Sequence, residues 1–67
     1  MMEKMLTGFK TEVAKTIRVA RMRQDVTQEE LAEMADISPQ FLSRLENARR
    51  TASIETYIKI AAALRLH

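Results

Sequence analysis

Gln40, Ser43 and Arg44 place an amide, a hydroxyl and a guanidinium three and four positions apart, the spacing of one helical face. Side chains of these types read the edges of nucleobases and grip phosphate oxygens. Leu42 and Leu45 supply the opposite, apolar side of the same stretch. Arginines gather on either side of it: Arg18, Arg21 and Arg23 upstream, Arg49 and Arg50 downstream. Seven of the eleven basic residues are Arg, which suits bidentate contact with phosphate. A net charge of +2 is mild, so the argument rests on where the cations lie rather than on their number. The plainer reading of these residues is a solvated helix face followed by a solubilising loop.

Other chemistry finds little footing. There is no cysteine, hence no disulfide and no thiolate–metal site. The one histidine is the last residue, His67, and no metal or other cofactor is expected. Glu29, Glu30 and Glu33 are close together, but no His, Cys or Asp stands beside them to make a catalytic pair. Favourable interaction with a helix dipole explains Glu29 and Glu30 without catalysis. Met1 to Lys10 carries no signal-peptide core and no run is long enough to span a membrane, so a cytoplasmic protein is expected.

The elements that must hold Gln40 and Arg44 are helices. Phe9, Val13, Ile17 and Ala20 recur with helical period and predict a first helix to about Gln24. Residues 1–8 lack a cap and a clear period; they read as an arm or irregular lead-in to a single domain over residues 9–67. Thr27 with Glu30 three residues on forms a capping box for a second helix, about Gln28 to Ala35. Ser38 caps and Pro39 starts a third, to about Asn47. Ser53 caps a fourth, whose inward stripe is read as Ile54, Tyr57, Ile60, Ala61 and Leu64. The core expected from this pattern is Val13, Ile17, Ala20, Val26, Leu31, Ala32, Ala35, Ile37, Leu42, Leu45, Ile54, Tyr57, Ala61 and Leu64. Ile58 and Leu66 fall off that stripe and read as a patch for a second copy, with scattered surface apolarity as the plainer account. A chain of 67 residues buries only about 60% of its unfolded surface, so a partner subunit would help it.

Two short helices joined by a tight turn, the second rich in polar outward residues, form a helix-turn-helix pattern. The residues resemble the phage repressor and Cro-type family, also called XRE, through Ile17-Arg18-x-x-Arg21, Val26 to Ala32, Ile37-Ser38 and Leu42 to Asn47. The likeness continues in Arg49-Arg50, Ser53 to Tyr57 and Ile60-Ala61-x-Ala63-Leu64. It implies an all-α, lambda-repressor-like domain of four helices, with a fifth in many relatives that this chain is too short to complete. It implies base contacts from Ser38, Pro39, Gln40, Ser43 and Arg44, with Gln40 matched to adenine and Arg44 to guanine or phosphate. Phosphate contacts are expected from Gln28, Asn47, Arg49 and Arg50, and from Arg18 and Arg23 in the upstream cluster. Arg21 and Glu46 match a buried ion pair joining the first helix to the third.

Three positions depart from the family pattern. Asp36 stands where the turn commonly has Gly, Ala48 where the later loop has Gly, and Ala52 where Pro is usual. If Ala48 needs positive φ, it is strained. The size is similar to Cro-like repressors and to restriction-modification controller proteins. The resemblance therefore implies a transcriptional regulator, repressor or activator, that binds palindromic double-stranded DNA as a homodimer, with RNA polymerase as a further partner if it activates. The rival expectation is a protein-interaction module of the same fold, such as an antitoxin or co-regulator, and an enzyme has no positive support.

Overall fold

The computed structural model describes residues 2–66, with the side chains of Glu3, Leu6 and Leu66 outside the description. Four helices follow in order: α1 (Met2–Arg23), α2 (Gln28–Met34), α3 (Pro39–Glu46) and α4 (Ile54–Leu66). Each start after α1 is marked by a hydroxyl. Thr27 Oγ1 accepts from Glu30 N at 3.0 Å while Thr27 N donates to Glu30 Oε1 at 3.0 Å, a complete capping box. Ser38 Oγ accepts from Phe41 N at 3.1 Å, and Pro39 opens α3 where its missing N–H is no loss. Ser53 Oγ accepts from Thr56 N at 3.2 Å and pairs with the Thr56 hydroxyl at 3.0 Å.

The ends of α1, α2 and α3 are alike. A residue just past each helix adopts positive φ: Asp25 at 60°, Asp36 at 57° and Ala48 at 57°. In each case two reversed hydrogen bonds close the end: Asp25 N to Met22 O with Val26 N to Arg21 O, Asp36 N to Glu33 O with Ile37 N to Ala32 O, and Ala48 N to Leu45 O with Arg49 N to Arg44 O. This is the Schellman arrangement, usually served by Gly. The chain has a single Gly, and it lies within α1. Asp adopts the left-handed region more readily than Ala, so Ala48 is the most strained of the three.

Leu31, Ala32 and Ala35 of α2, Leu42 and Leu45 of α3, Ile17 of α1, Val26, and Ile60 and Ala63 of α4 form the buried core; Val13, Ile37, Phe41, Ala52, Tyr57 and Leu64 pack around it. Ala14, missed in the sequence, is buried as well. Ala20, expected in the core, is instead half-buried along a surface depression of α1, and two expected core residues of α4 are outside: Ile54 is 78% exposed and Ala61 is exposed. The cause for these two is the rotation of α4. The Tyr57 hydroxyl accepts from Ala52 N at 3.1 Å, so the helix turns its Tyr57, Ile60, Ala63 and Leu64 side inward. A Pro at 52 would have no N–H to give.

Residues 2–8 are also corrected. They are helical and continuous with α1 rather than irregular. Met, Glu, Lys and Leu favour helix, and Gly8 is too isolated to stop it. Met2, Met5 and Phe9 are exposed, so Phe9 lies outside the core-facing pattern. A helix of 22 residues is about 33 Å long, which accounts for most of the 37 Å long axis of the molecule.

Candidate nucleic-acid interface

The helix α3 presents its sides in a fixed order, because each residue turns it by about 100°. Leu42 and Leu45 point into the core and are buried. Pro39, Gln40 and Arg44 are exposed, and Ser43 is half-buried beside them. Phe41 lies on one flank of this outward face and Glu46 on the other. The helix is thus held from behind and from both sides, and its polar face is left to solvent.

The Glu46 flank is a buried polar knot. Arg21 Nε donates to Glu46 Oε2 at 2.8 Å and Arg21 Nη2 to Glu46 Oε1 at 3.0 Å, a bidentate fork. Arg21 Nη1 donates to the Val26 carbonyl at 2.8 Å, so one guanidinium ties α1 to α3 and to the link before α2. Gln28 Nε2 donates to Glu46 Oε1 at 3.1 Å and brings in the start of α2. The Glu46 side chain is 1% exposed, so its charge cannot fall back on water if Arg21 is lost; Arg21, 14% exposed, would keep only the Val26 carbonyl and its narrow edge of solvent if Glu46 were lost.

The Phe41 flank carries a cation. The Arg50 guanidinium carbon stands 5.1 Å from the centroid of the Phe41 ring, a cation–π placement. Arg49 is exposed beside it. At the end of α3 a groove runs between α1 and the following loop, lined by Thr11, Ala14, Lys15, Arg18, Glu46, Asn47 and Ala48. Arg18 therefore joins the α3 end. Lys15, one turn earlier on α1, joins it too; its spacing of three from Arg18 was a signal in the sequence.

Some residues singled out in the sequence are placed differently. Arg23 lines another depression with Glu12, Lys15, Thr16, Val19 and Ala20, about 160° around α1 from Arg21, and Lys15 stands between that depression and the groove at the α3 end. The Asn47 amide nitrogen donates to the Ser43 carbonyl at 2.8 Å and so closes the end of α3, while the residue stays exposed beside the groove. Gln28 gives one amide hydrogen to Glu46, which leaves it the second for another acceptor. Ser38 is first a helix cap. Ile58 is 62% exposed on α4; Leu66 is within α4, but its side chain lies outside the described ones. Among the described residues no group of His, Cys, Asp and Glu can hold a metal ion, and no helix is long and apolar enough to cross a membrane.

A helix-turn-helix family model matches residues 17–67. Among solved structures the chain is similar to the clp gene regulator ClgR from Corynebacterium glutamicum, with 34% sequence identity and a TM-score of 0.81 over 84% of this chain. The match takes in 60% of that neighbour's chain, so this chain spans only part of its length. No curated protein matches the chain. The family match spans most of the sequence, including all of α2, α3 and α4 and the Arg21–Glu46 tie, and the chain belongs to the XRE-type helix-turn-helix family.

Proposed function

We propose that this chain is the DNA-binding part of a sequence-specific transcriptional regulator that inserts α3 into the major groove. The observation that carries the reading is the outward face of α3: Gln40 and Arg44 are exposed on a helix whose other sides are fixed by the core, by Glu46 and by Phe41. Gln40 is suited to an adenine edge and Arg44 to guanine or phosphate, with Ser38, Pro39 and Ser43 beside them. Arg49, Arg50, Arg18 and the second amide hydrogen of Gln28 surround that face and suit phosphate contacts. Lys15 extends the set. Family membership and the ClgR likeness assign the chain to regulators rather than to enzymes.

Two copies acting together would read a palindrome with half-sites one turn apart, about 34–36 Å. The outer face of α4 supports such a pairing. Ile54, Ile58, Ala61 and Ala62 are all exposed and recur at helical spacing. Glu55 and Arg65 are exposed near opposite ends of α4, so an antiparallel pairing of these outer faces would bring each Glu55 toward the Arg65 of the second copy. Activation would require a polymerase-facing patch, for which the exposed Glu29 and Glu33 of α2 are suited. Repression requires only occupancy of the operator.

The test is duplex binding across a salt series, with a duplex selected from a random-sequence pool. Affinity should fall steeply with salt, since each neutralised phosphate adds about 0.9 to the slope. Arg50→Ala should weaken all sequences alike and lower that slope by about 1. Copurification of a stoichiometric protein partner without any duplex preference would favour an interaction module instead, using the exposed Met2, Met5 and Phe9 stripe or the α4 face.

A further inference from the structure

We infer that Phe41 is a positioning residue for DNA binding: its ring holds the Arg50 guanidinium in place at the edge of the α3 face before any duplex arrives. The inference rests on the DNA-binding reading above. Three observations carry it. The Arg50 guanidinium carbon is 5.1 Å from the Phe41 ring centroid, within the range of a cation–π contact. Phe41 cannot drift, because its ring is half-buried against the core and its backbone N–H is tied to the Ser38 hydroxyl. Arg50 itself is exposed in the loop between α3 and α4, and among the described contacts the Phe41 ring is what its guanidinium meets.

The physical consequence is preorganisation. A free arginine has many rotamers, and fixing it on binding costs affinity. An arginine already laid on a ring has lost much of that freedom in the unbound protein. The ring approaches the guanidinium from one side, and a ring face accepts no conventional N–H hydrogen bond, so the five N–H donors stay available for a phosphate oxygen. Phe41 and Gln40 are neighbours on α3, so the held cation also fixes the distance between a backbone contact and the base-reading face. An aromatic at 41 thereby links where the helix sits to what it reads.

The experiment is a double-mutant cycle between Phe41→Leu and Arg50→Ala, read by affinity for the selected duplex, with Phe41→Tyr as the conservative variant. Leu keeps an apolar side chain against the core, and thermal melts confirm that each variant is folded at the binding temperature. Phe41→Leu should weaken binding about three- to tenfold. The same change in the Arg50→Ala background should do much less, and Phe41→Tyr should restore wild-type affinity. Without DNA, the Arg50 side-chain protons should show upfield ring-current shifts in NMR spectra that vanish in Phe41→Leu. Equal losses from Phe41→Leu with and without Arg50, or absent ring-current shifts, would overturn the positioning role while leaving DNA binding intact. A wild-type protein that binds no duplex would reject both readings together.

Discussion

The turns before and after α3 share one backbone and differ in every side chain that matters. Both close with the same pair of reversed hydrogen bonds and both place one residue near φ 57°. Before α3 that residue is Asp36, and the next, Ile37, packs onto the core. After α3 it is Ala48, and the next, Arg49, is exposed. The first turn seals α3 to the body. The second spends the same geometry on presenting Arg49 and Arg50 to solvent, and does so on a strained alanine. Backbone motif and side-chain purpose are therefore separable: the fold needs the turn, and the flanking residues decide whether it stabilises or binds.

The largest expected effect is at the residue that anchors α3 just ahead of the second turn. Glu46→Ala strands the Arg21 guanidinium and should cost about 3–5 kcal/mol, as measured by urea denaturation, enough to unfold a domain this small. Survival of the folded state with a loss below about 1 kcal/mol would show that the knot does not brace α3.

The next effect separates the two turns directly. Ile37→Ala removes core contact and should cost about 2 kcal/mol, while Arg49→Ala should change stability by less than about 0.5 kcal/mol. Similar costs at both positions would erase the contrast drawn here. The smallest effect sharpens it. Ala48→Gly should raise stability by about 1 kcal/mol by relieving positive φ, and Asp36→Gly should gain about half as much or less, since Asp tolerates that region better. A greater gain at 36 than at 48 would place the strain in the wrong turn.

Much of this was legible from residue types because caps are local. Thr27 with Glu30, Ser38 with Pro39, and Ser53 each mark a helix start, and each makes the expected hydrogen bond. The Arg21–Glu46 tie was visible only through family resemblance, because its partners are 25 positions apart and no local rule joins them. The rotation of α4 was not legible. Ile54, Ile58, Ile60 and Ala61 to Ala63 surround that helix with apolar groups, so periodicity does not choose a face; the Tyr57 hydroxyl on Ala52 N does. Asn47 shows a second limit. Its type announces a donor, but only coordinates show that the Ser43 carbonyl takes the hydrogen. The Phe41–Arg50 contact has the same character, because a half-buried aromatic reads as core until a cation is seen over it.

The central claim is that the exposed side of α3 discriminates between bases. Its most direct test is the binding of Gln40→Ala to a panel of duplexes in which each base pair of the selected site is replaced in turn, with helical content checked by circular dichroism. The expected result is a folded protein that no longer distinguishes bases at one position of each half-site, a loss of about 1–3 kcal/mol in discrimination, with its salt dependence preserved. A folded Gln40→Ala protein with the wild-type profile at every position, and an Arg44→Ala protein that behaves the same way, would contradict the assignment of α3 as the reading helix.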